Sequence, residues 1–297
     1  MSLLDILIPH YEDVEGLSLS LASIESQTWR GNPRIVICDD GSSHQTLDML
    51  ETIIGNHQNI VLIKNENNIG RARTRNVLLD AIESSYTAWL DAGDEWYPQK
   101  IKMQFDSLYR AIYRQNGSPV WSTCNYDWQW NFGRKRKRQQ EINDDQMKNL
   151  LVGQKLRSYL WTILAESHTF KDVGYFDEKL PRLQDLDYFI RFVSNGGLLI
   201  KPRTELPLCV YHKSDIGRDA KEIHGCYNYI YRKHSHVYGT FSSKFRKNRK
   251  YDIEIHSARF AQNNNDPATT CRMLVKAACV NPSRFIYSVV KNKGVKL

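Results

Sequence analysis

The chain has 297 residues, 41% of them hydrophobic and 25% charged, with a formal net charge of +8 at pH 7. That length can bury one large core, or a core with an appended lobe, and the composition excludes a disordered or fibrous chain. No apolar run approaches the roughly 20 residues a membrane helix needs, and Met1 to Ile6 lacks the basic start and long apolar stretch of a secretory signal.

The first 125 or so residues alternate regularly. Apolar runs predict strands at Leu3–Ile8, Arg34–Cys38, Ile60–Lys64, Tyr86–Leu90 and Val120–Cys124. Between them, Leu17, Leu21 and Ile24, then Leu47, Leu50 and Ile54, then Ala72, Val77 and Ala81 recur at helical spacing. Ile101, Phe105, Leu108 and Ile112 mark a further helix after Pro98, a residue suited to a helix start. Strands alternating with helices over short connections imply right-handed crossovers and a mostly parallel sheet covered on both faces.

Beyond Cys124 the pattern changes. Tyr126, Trp128, Trp130 and Phe132 alternate with polar residues, as in a strand with one buried face, and the basic run Arg134–Arg138 reads as a hairpin tip or loop. Helical spacing returns over Asp185–Phe192 and from about Glu222. Past Tyr251 two or three short helices are expected, broken at Asp266-Pro267 and Asn281-Pro282. The basic run Lys244–Lys250 reads as a solvated loop, and lysines recur over 291–296. The six cysteines form no C-x-x-C pair and are expected to be reduced, mostly buried thiols of a cytoplasmic protein.

Each early strand breaks into polar residues. Pro9, His10, Tyr11 and Glu12 follow the first, Asp39, Asp40, Gly41 and Ser42 the second, Asn65 to Gly70 the third, and Asp91 and Asp94 the fourth. In an open α/β sheet these C-terminal strand ends share one crevice, where ligands bind. Asp39 and Asp40 suit base and ribose hydrogen bonds, and Tyr11 offers a stacking face. Arg71 and Arg75 fall on one face of a helix opening after Gly70, where guanidinium forks and the helix dipole favour a diphosphate. Asp91 and Asp94 offer hard oxygen ligands for a divalent cation. Neither a dinucleotide glycine fingerprint nor a Walker-type loop is present.

Four motifs carry a resemblance: Ile8 to Glu12, Cys38 to Ser42, Asn68 to Asn76, and Leu90 to Trp96. In this order they resemble family 2 glycosyltransferases, inverting enzymes of the GT-A fold that use nucleotide-activated sugars. The resemblance resumes at Val173–Glu178 and Arg182–Tyr188 and fades beyond about residue 215. It implies a GT-A-like mostly parallel sheet over residues 1–215, with a nucleotide-sugar-binding half (1–125) and an acceptor and catalytic-base half (126–215). A helical C-terminal extension (216–297) is expected to follow.

Carried over by position, the resemblance implies nucleotide-sugar binding by Pro9, Tyr11, Glu12, Asp39, Asp40, Gly70, Arg71, Arg75, Asn76, Asp91 and Ala92. It implies Asp185 as the catalytic base, with Asp187 in reserve, and Arg182 and Gln184 on the acceptor side. The metal, Mn2+ or Mg2+, would be held by Asp91, Asp94 and His212. Two departures stand out: Gly93 replaces the family's middle carboxylate, and Gln184 replaces the glutamate that often precedes the base.

The implied reaction moves a sugar from a nucleotide-diphosphate donor, a UDP-sugar for choice, to a hydroxyl of a glycan or lipid-linked glycan acceptor, as in capsule or lipopolysaccharide assembly. The base takes the acceptor proton and the leaving diphosphate is stabilised by charge. A cytoplasmic location is expected, with peripheral association to an anionic membrane face through the basic runs and the segment Arg284–Lys291. Alternatives are a catalytically weak nucleotide-sugar binder, given Gly93, a glycoside hydrolase, or a polyanion binder using the basic runs; no specific nucleic acid partner is expected.

Overall fold

The computed structural model describes residues 2–55, 57–114, 117–130, 133–142, 145–213 and 219–292. Phe132 and the lysines beyond 292 lie outside the described residues. Two compact units result: residues 1–179 with 184–214, and Leu180–Leu183 with 215–297.

The first unit begins with β1 (Leu4–His10), α1 (Val14–Glu25), β2 (Arg34–Asp39), α2 (His44–Ile54), β3 (Ile60–Lys64), α3 (Arg71–Asp80) and β4 (Tyr86–Trp89). It continues with β5 (Glu95–Trp96), α4 (Lys100–Arg114), β6 (Val120–Ser122), β7 (Tyr126–Trp130) and β8 (Arg136–Arg138). After α5 (Gln146–Val152) and a 3-10 turn (Leu160–Thr162) come β9 (Leu164–Glu166), α6 (Ser167–Val173), α7 (Gln184–Ser194), β10 (Leu198–Ile200) and β11 (Cys209–Lys213). Local chemistry sets the helix starts. Asp13 accepts from the Gly16 N–H to cap α1, and Ser43 accepts from the Thr46 N–H to cap α2.

Seven strands form the main sheet in the order β10-β6-β9-β4-β1-β2-β3, parallel except for β9, which runs antiparallel to both neighbours. Successive residues of a strand face opposite sides, so β1 feeds two cores. Ile6 and Ile8 join Leu17, Leu21, Leu50 and Phe105 on one face, whereas Leu7 joins Trp89, Leu78 and Phe189 on the other. A second sheet, β5-β11-β7-β8, grows from the chain just past Asp94.

The structure corrects several expectations. Val120–Cys124 forms ladder pairs only to Ser122. The basic run is not only a hairpin tip: Arg136–Arg138 pairs with β7 as an edge strand, because Tyr126, Asp127 and Trp128 offer it a ladder. Edge strands rich in cations resist pairing with other chains, which accounts for charge at this position.

The second unit holds α8 (Ala220–Lys233), α9 (Ser235–Gly239), α10 (Ser243–Asn263), α11 (Pro267–Val280) and α12 (Pro282–Asn292). Lys244–Lys250 is helical rather than a loop: Ser242 caps α10, which runs 21 residues and begins before Tyr251, and α10, α11 and α12 are separated at the two expected breaks, Asp266-Pro267 and Asn281-Pro282. The break at Asp266 holds, since its side chain accepts from the Thr269 N–H and Pro267 opens α11. Tyr251, Ile255 and Ala277 form the seam between α10 and α11.

Candidate active site

At the end of β2 the two aspartates turn inward. Asp39 is 0% exposed. Its Oδ1 accepts from His10 Nδ1 at 2.7 Å and from Ser42 Oγ at 2.6 Å, and its Oδ2 accepts from the Ser42 N–H at 2.9 Å. Although burial opposes it, these bonds from His10 and Ser42 hold Asp39 below the ordinary carboxylate range. Asp40 accepts from the N–H groups of Ile69 (2.9 Å) and Gly70 (3.0 Å) and from Asn65 Nδ2 (3.1 Å). It thereby ties the loop before α3 to β2. Between the two motifs, Gly41 sits at φ 75, where a Cβ would lie 2.3 Å from the Asn67 carbonyl carbon, so only glycine fits. Glu12 accepts from the Ser43 N–H at 2.6 Å and Thr46 Oγ1 at 2.6 Å, binding the loop after β1 to the start of α2. Three of the expected nucleotide ligands thus have structural partners within the chain.

After β4 the chain makes a tight turn, Asp91-Ala92-Gly93-Asp94, closed by the Asp94 N–H on the Asp91 carbonyl at 3.1 Å. Gly93 has φ 91. A turn whose third residue lies at positive φ selects glycine, so the residue that departs from the family pattern has a backbone reason. Asp94 is buried, and its Oδ1 accepts from the His212 N–H at 3.0 Å. Burial and the charge of Asp91 push Asp94 well above the usual carboxylate range. The His212 ring turns to Glu95, Nε2 to Oε1 at 2.5 Å. Among the described residues no three His, Cys, Asp or Glu side chains form a ready-made metal cluster. The donor set still fits a hard divalent cation: two carboxylates crowd one turn, and one of them resists ionising without a compensating charge.

The centre of the site is Arg75. It is 6% exposed and reaches from α3 to two acidic groups. Nη1 donates to Asp185 Oδ1 at 2.6 Å, and Nη2 to Asp91 Oδ1 at 3.2 Å. Its guanidinium lies 5.6 Å from the centre of the Phe176 ring. The other oxygen of Asp185 accepts from the Leu160 N–H at 3.2 Å. Burial raises Asp185 above the ordinary carboxylate value, Arg75 opposes that shift, and Asp91 reinforces it. Asp185 stands in the first turn of α7. Asp187, the reserve base, is fully buried and accepts from Arg191 Nε at 3.0 Å.

The remaining expected residues divide. Tyr11 is 51% exposed just past the end of β1. Pro9 lies within β1, Gly70 caps α3 at φ 88, and Ala92 forms the turn beside Asp91. Arg71 is exposed, and its charge is felt at Asp185. Asn76 clamps the Phe176 peptide, accepting its N–H at 2.7 Å and donating to its carbonyl at 3.1 Å. Gln184 is buried at the start of α7, and Arg182, in the second unit, pairs with Glu222. Sequence reasoning missed His10, Leu160 and Phe176 as supports, and the stacked rings of Tyr159, Trp161 and Tyr211. The alternation Tyr159-Leu160-Trp161 was the only signal of that stack.

A parallel sheet whose strand ends gather an Asp-x-x-Asp turn, a buried arginine and a second-half aspartate defines the GT-A class of nucleotide-sugar transferase folds. Solved structures agree in fold. S. aureus TarS 1-349 in complex with UDP-GlcNAc superposes with a TM-score of 0.57 at 14% identity over 94% of this chain and 91% of that one. Mannosyltransferase PcManGT from Pyrobaculum calidifontis, in complex with GDP-Man and Mn2+, gives 0.59 at 12% identity over 98% and 79%. The profile described as Glycosyl transferase family 2 matches residues 5–158, and the chain belongs to that family.

Among curated relatives, the uncharacterized glycosyltransferase MJ1057 of Methanocaldococcus jannaschii is 25% identical over 205 residues, 65% of each chain. The Escherichia coli UDP-Glc:alpha-D-GlcNAc-diphosphoundecaprenol beta-1,3-glucosyltransferase WfaP is 36% identical over 104 residues, 35% of this chain and 40% of that one. The chain therefore spans less than two thirds of the length of these relatives.

Proposed function

We propose that the chain is an inverting glycosyltransferase that moves a sugar from a UDP-sugar to a hydroxyl of a glycan or lipid-linked glycan acceptor. The observation that carries this reading is the Arg75 bridge, which joins Asp91 of the donor half (1–125) to Asp185 of the acceptor half (126–215) through one guanidinium. Asp185 is the base. Among the described residues each of its oxygens accepts one donor, which leaves lone pairs for an acceptor hydroxyl. Its raised proton affinity suits it to take the hydroxyl proton as the new bond forms. Direct attack from the face opposite the leaving group inverts the anomeric carbon. Arg71 and Arg75 face the departing diphosphate, and Tyr11 stacks on the base. Asp91 and Asp94, with His212 close by, would hold Mn2+ or Mg2+, which supplies positive charge to the leaving group. The activity for which WfaP is named supports a UDP-sugar donor and a diphospholipid-linked acceptor.

Residues 216–297 serve as a helical extension that meets an anionic membrane face. Residues 215–297 hold 16 Lys and Arg against 6 Asp and Glu, whereas residues 1–214 hold 25 against 27. Along α12, Ile286, Tyr287 and Val290 are exposed, a pairing of apolar surface and cations that suits a lipid interface. Among the described residues no helix is long and apolar enough to cross a membrane.

The test is a panel of nucleotide sugars with Mn2+, read by thermal stabilisation and by release of nucleotide on addition of acceptor. A UDP-sugar is expected to raise the melting temperature in a metal-dependent way. A panel in which no nucleotide sugar stabilises the protein overturns the reading.

A further inference from the structure

One face of the four-stranded sheet leads away from the Asp91–Asp185 cluster. Register places Tyr211 of β11, Trp128 of β7 and Arg136 of β8 side by side, and Tyr126 beside Arg138 on the next rung. Partners in register project to the same face, so aromatic rings and guanidiniums share one face, on which Tyr126 is buried and Trp128 and Tyr211 are partly exposed. The side chains agree: the Arg138 guanidinium lies 5.3 Å from the Trp128 ring centre. Tyr211 stacks on Trp161 at 5.5 Å and on Tyr159 at 5.9 Å. Trp128, Tyr159 and Tyr211 are half-buried, and Trp130 is 38% exposed.

The two ends of this face differ. The near end touches the site, since the backbone N–H of Leu160, next to Tyr159, donates to Asp185 and that of His212, next to Tyr211, donates to Asp94. The far end is the exposed edge Arg136–Arg138, about 10 Å away across two strand spacings. Lys137 alternates to the opposite face, in register with Asp127. Sugar and polyol units stack their C–H faces on aromatic rings, and guanidiniums bind phosphate by charge-assisted, often paired hydrogen bonds.

We infer that this face is the acceptor track and that it fits a sugar or polyol chain joined by phosphodiesters, with its units on Tyr211 and Trp128 and its phosphates on Arg136 and Arg138. The inference rests on the reading of Asp91 and Asp185 as the transfer site, because that cluster gives the track its direction. A neutral glycan would leave the two guanidiniums without a counter-charge. Nucleic acid shares the phosphodiester, but the track is continuous with the transfer site, which favours the chain to be glycosylated.

The test titrates a glycerol phosphate oligomer, a neutral glucan oligomer of equal length and an oligothymidylate of equal charge, reading tryptophan fluorescence at fixed salt. The glycerol phosphate oligomer is expected to bind tightest. Arg136→Gln with Arg138→Gln is expected to weaken it by about tenfold or more, the loss of two charge-assisted contacts. Lys137→Gln removes the same charge as Arg136→Gln but from the opposite face, and is expected to bind as wild type. Equal losses in those two single variants, an unaffected double variant, equal binding of the neutral glucan, or oligothymidylate binding as tightly would each overturn the inference. UDP-sugar stabilisation measured on the same proteins separates the two claims: if no nucleotide sugar stabilises any of them, the transfer reading fails independently of the track.

Discussion

Two pairs of aspartates stand at the ends of the two parallel strands that flank β1 and do different work. Asp39 and Asp40, after β2, spend their oxygens on His10, Ser42, Ile69, Gly70 and Asn65, and so shape two loops. Asp91 and Asp94, after β4, share a crowded turn, and Asp91 meets Arg75 rather than backbone donors. The first pair is satisfied and the second is held ready. Hydrogen-bond donors nearby lower a carboxylate's proton affinity, while burial beside another carboxylate raises it. One residue type thus yields scaffold in one place and chemistry in the other.

Replacement of the base should break this contrast most sharply. Asp185→Asn is expected to lower transfer by about a thousandfold or more, since it removes the proton acceptor, while nucleotide affinity measured by calorimetry stays near wild type. Transfer at the wild-type rate would assign the base elsewhere. Activity of the unaltered protein should fall as pH drops, because Asp185 works ionised and its proton affinity is raised; a kcat profile with no acid limb would contradict this.

Asp94→Asn should separate function from stability. Transfer is expected to fall by about a hundredfold, the order seen when one charge-stabilising group is lost. The metal-free protein should melt higher at neutral pH, because a buried, repelled carboxylate is replaced by a neutral amide whose oxygen can still accept the His212 N–H. Differential scanning calorimetry without metal decides this, and an unchanged or lower melting temperature would count against the held-ready description.

Asp39→Asn should act in the opposite sense and cost about 2 kcal/mol of stability, through loss of charged hydrogen bonds in a buried site. The folded form of Asp39 binds its proton more weakly than the unfolded form does. Its stabilisation is therefore complete above the ordinary value of 3.8 and is lost as pH falls below it. The gap between wild type and variant in urea titrations should accordingly narrow below about pH 3.8. The smallest effect is expected from Gly93→Ala, about 1 kcal/mol, from a side chain forced to positive φ. Chemical denaturation reads it, and a stabilised variant would remove the backbone explanation for this glycine.

Strands β1 to β4 and helices α1 to α4 were legible because each apolar run is long enough to show its period and is punctuated by turn residues, whereas the two-residue β5 was not. The polar clusters at their ends could be assigned to one rim, since parallel strands all finish on the same side. The three-residue strands β8, β9 and β10 were not legible, because a run that short carries no period. The length of α10 was hidden by its composition: Lys244–Lys250 is charged on all sides, and only packing of Tyr251 and Ile255 on α11 shows where the helix belongs. Arg71 and Arg75 were foreseen on one helix face, but Arg75 lies buried between Asp91 and Asp185 whereas Arg71 is exposed.

The order of residues alone determined which segments form strands and that four polar loops follow them, because period and turn chemistry act over a few neighbours. Tertiary structure alone decided which carboxylates are consumed and which are left for chemistry. That choice depends on donors far away in sequence: Asp39 meets His10 across 29 residues, and Arg75 meets Asp185 across 110. Charge and hydrogen bonding act through space, and no local pattern in the chain encodes those partners.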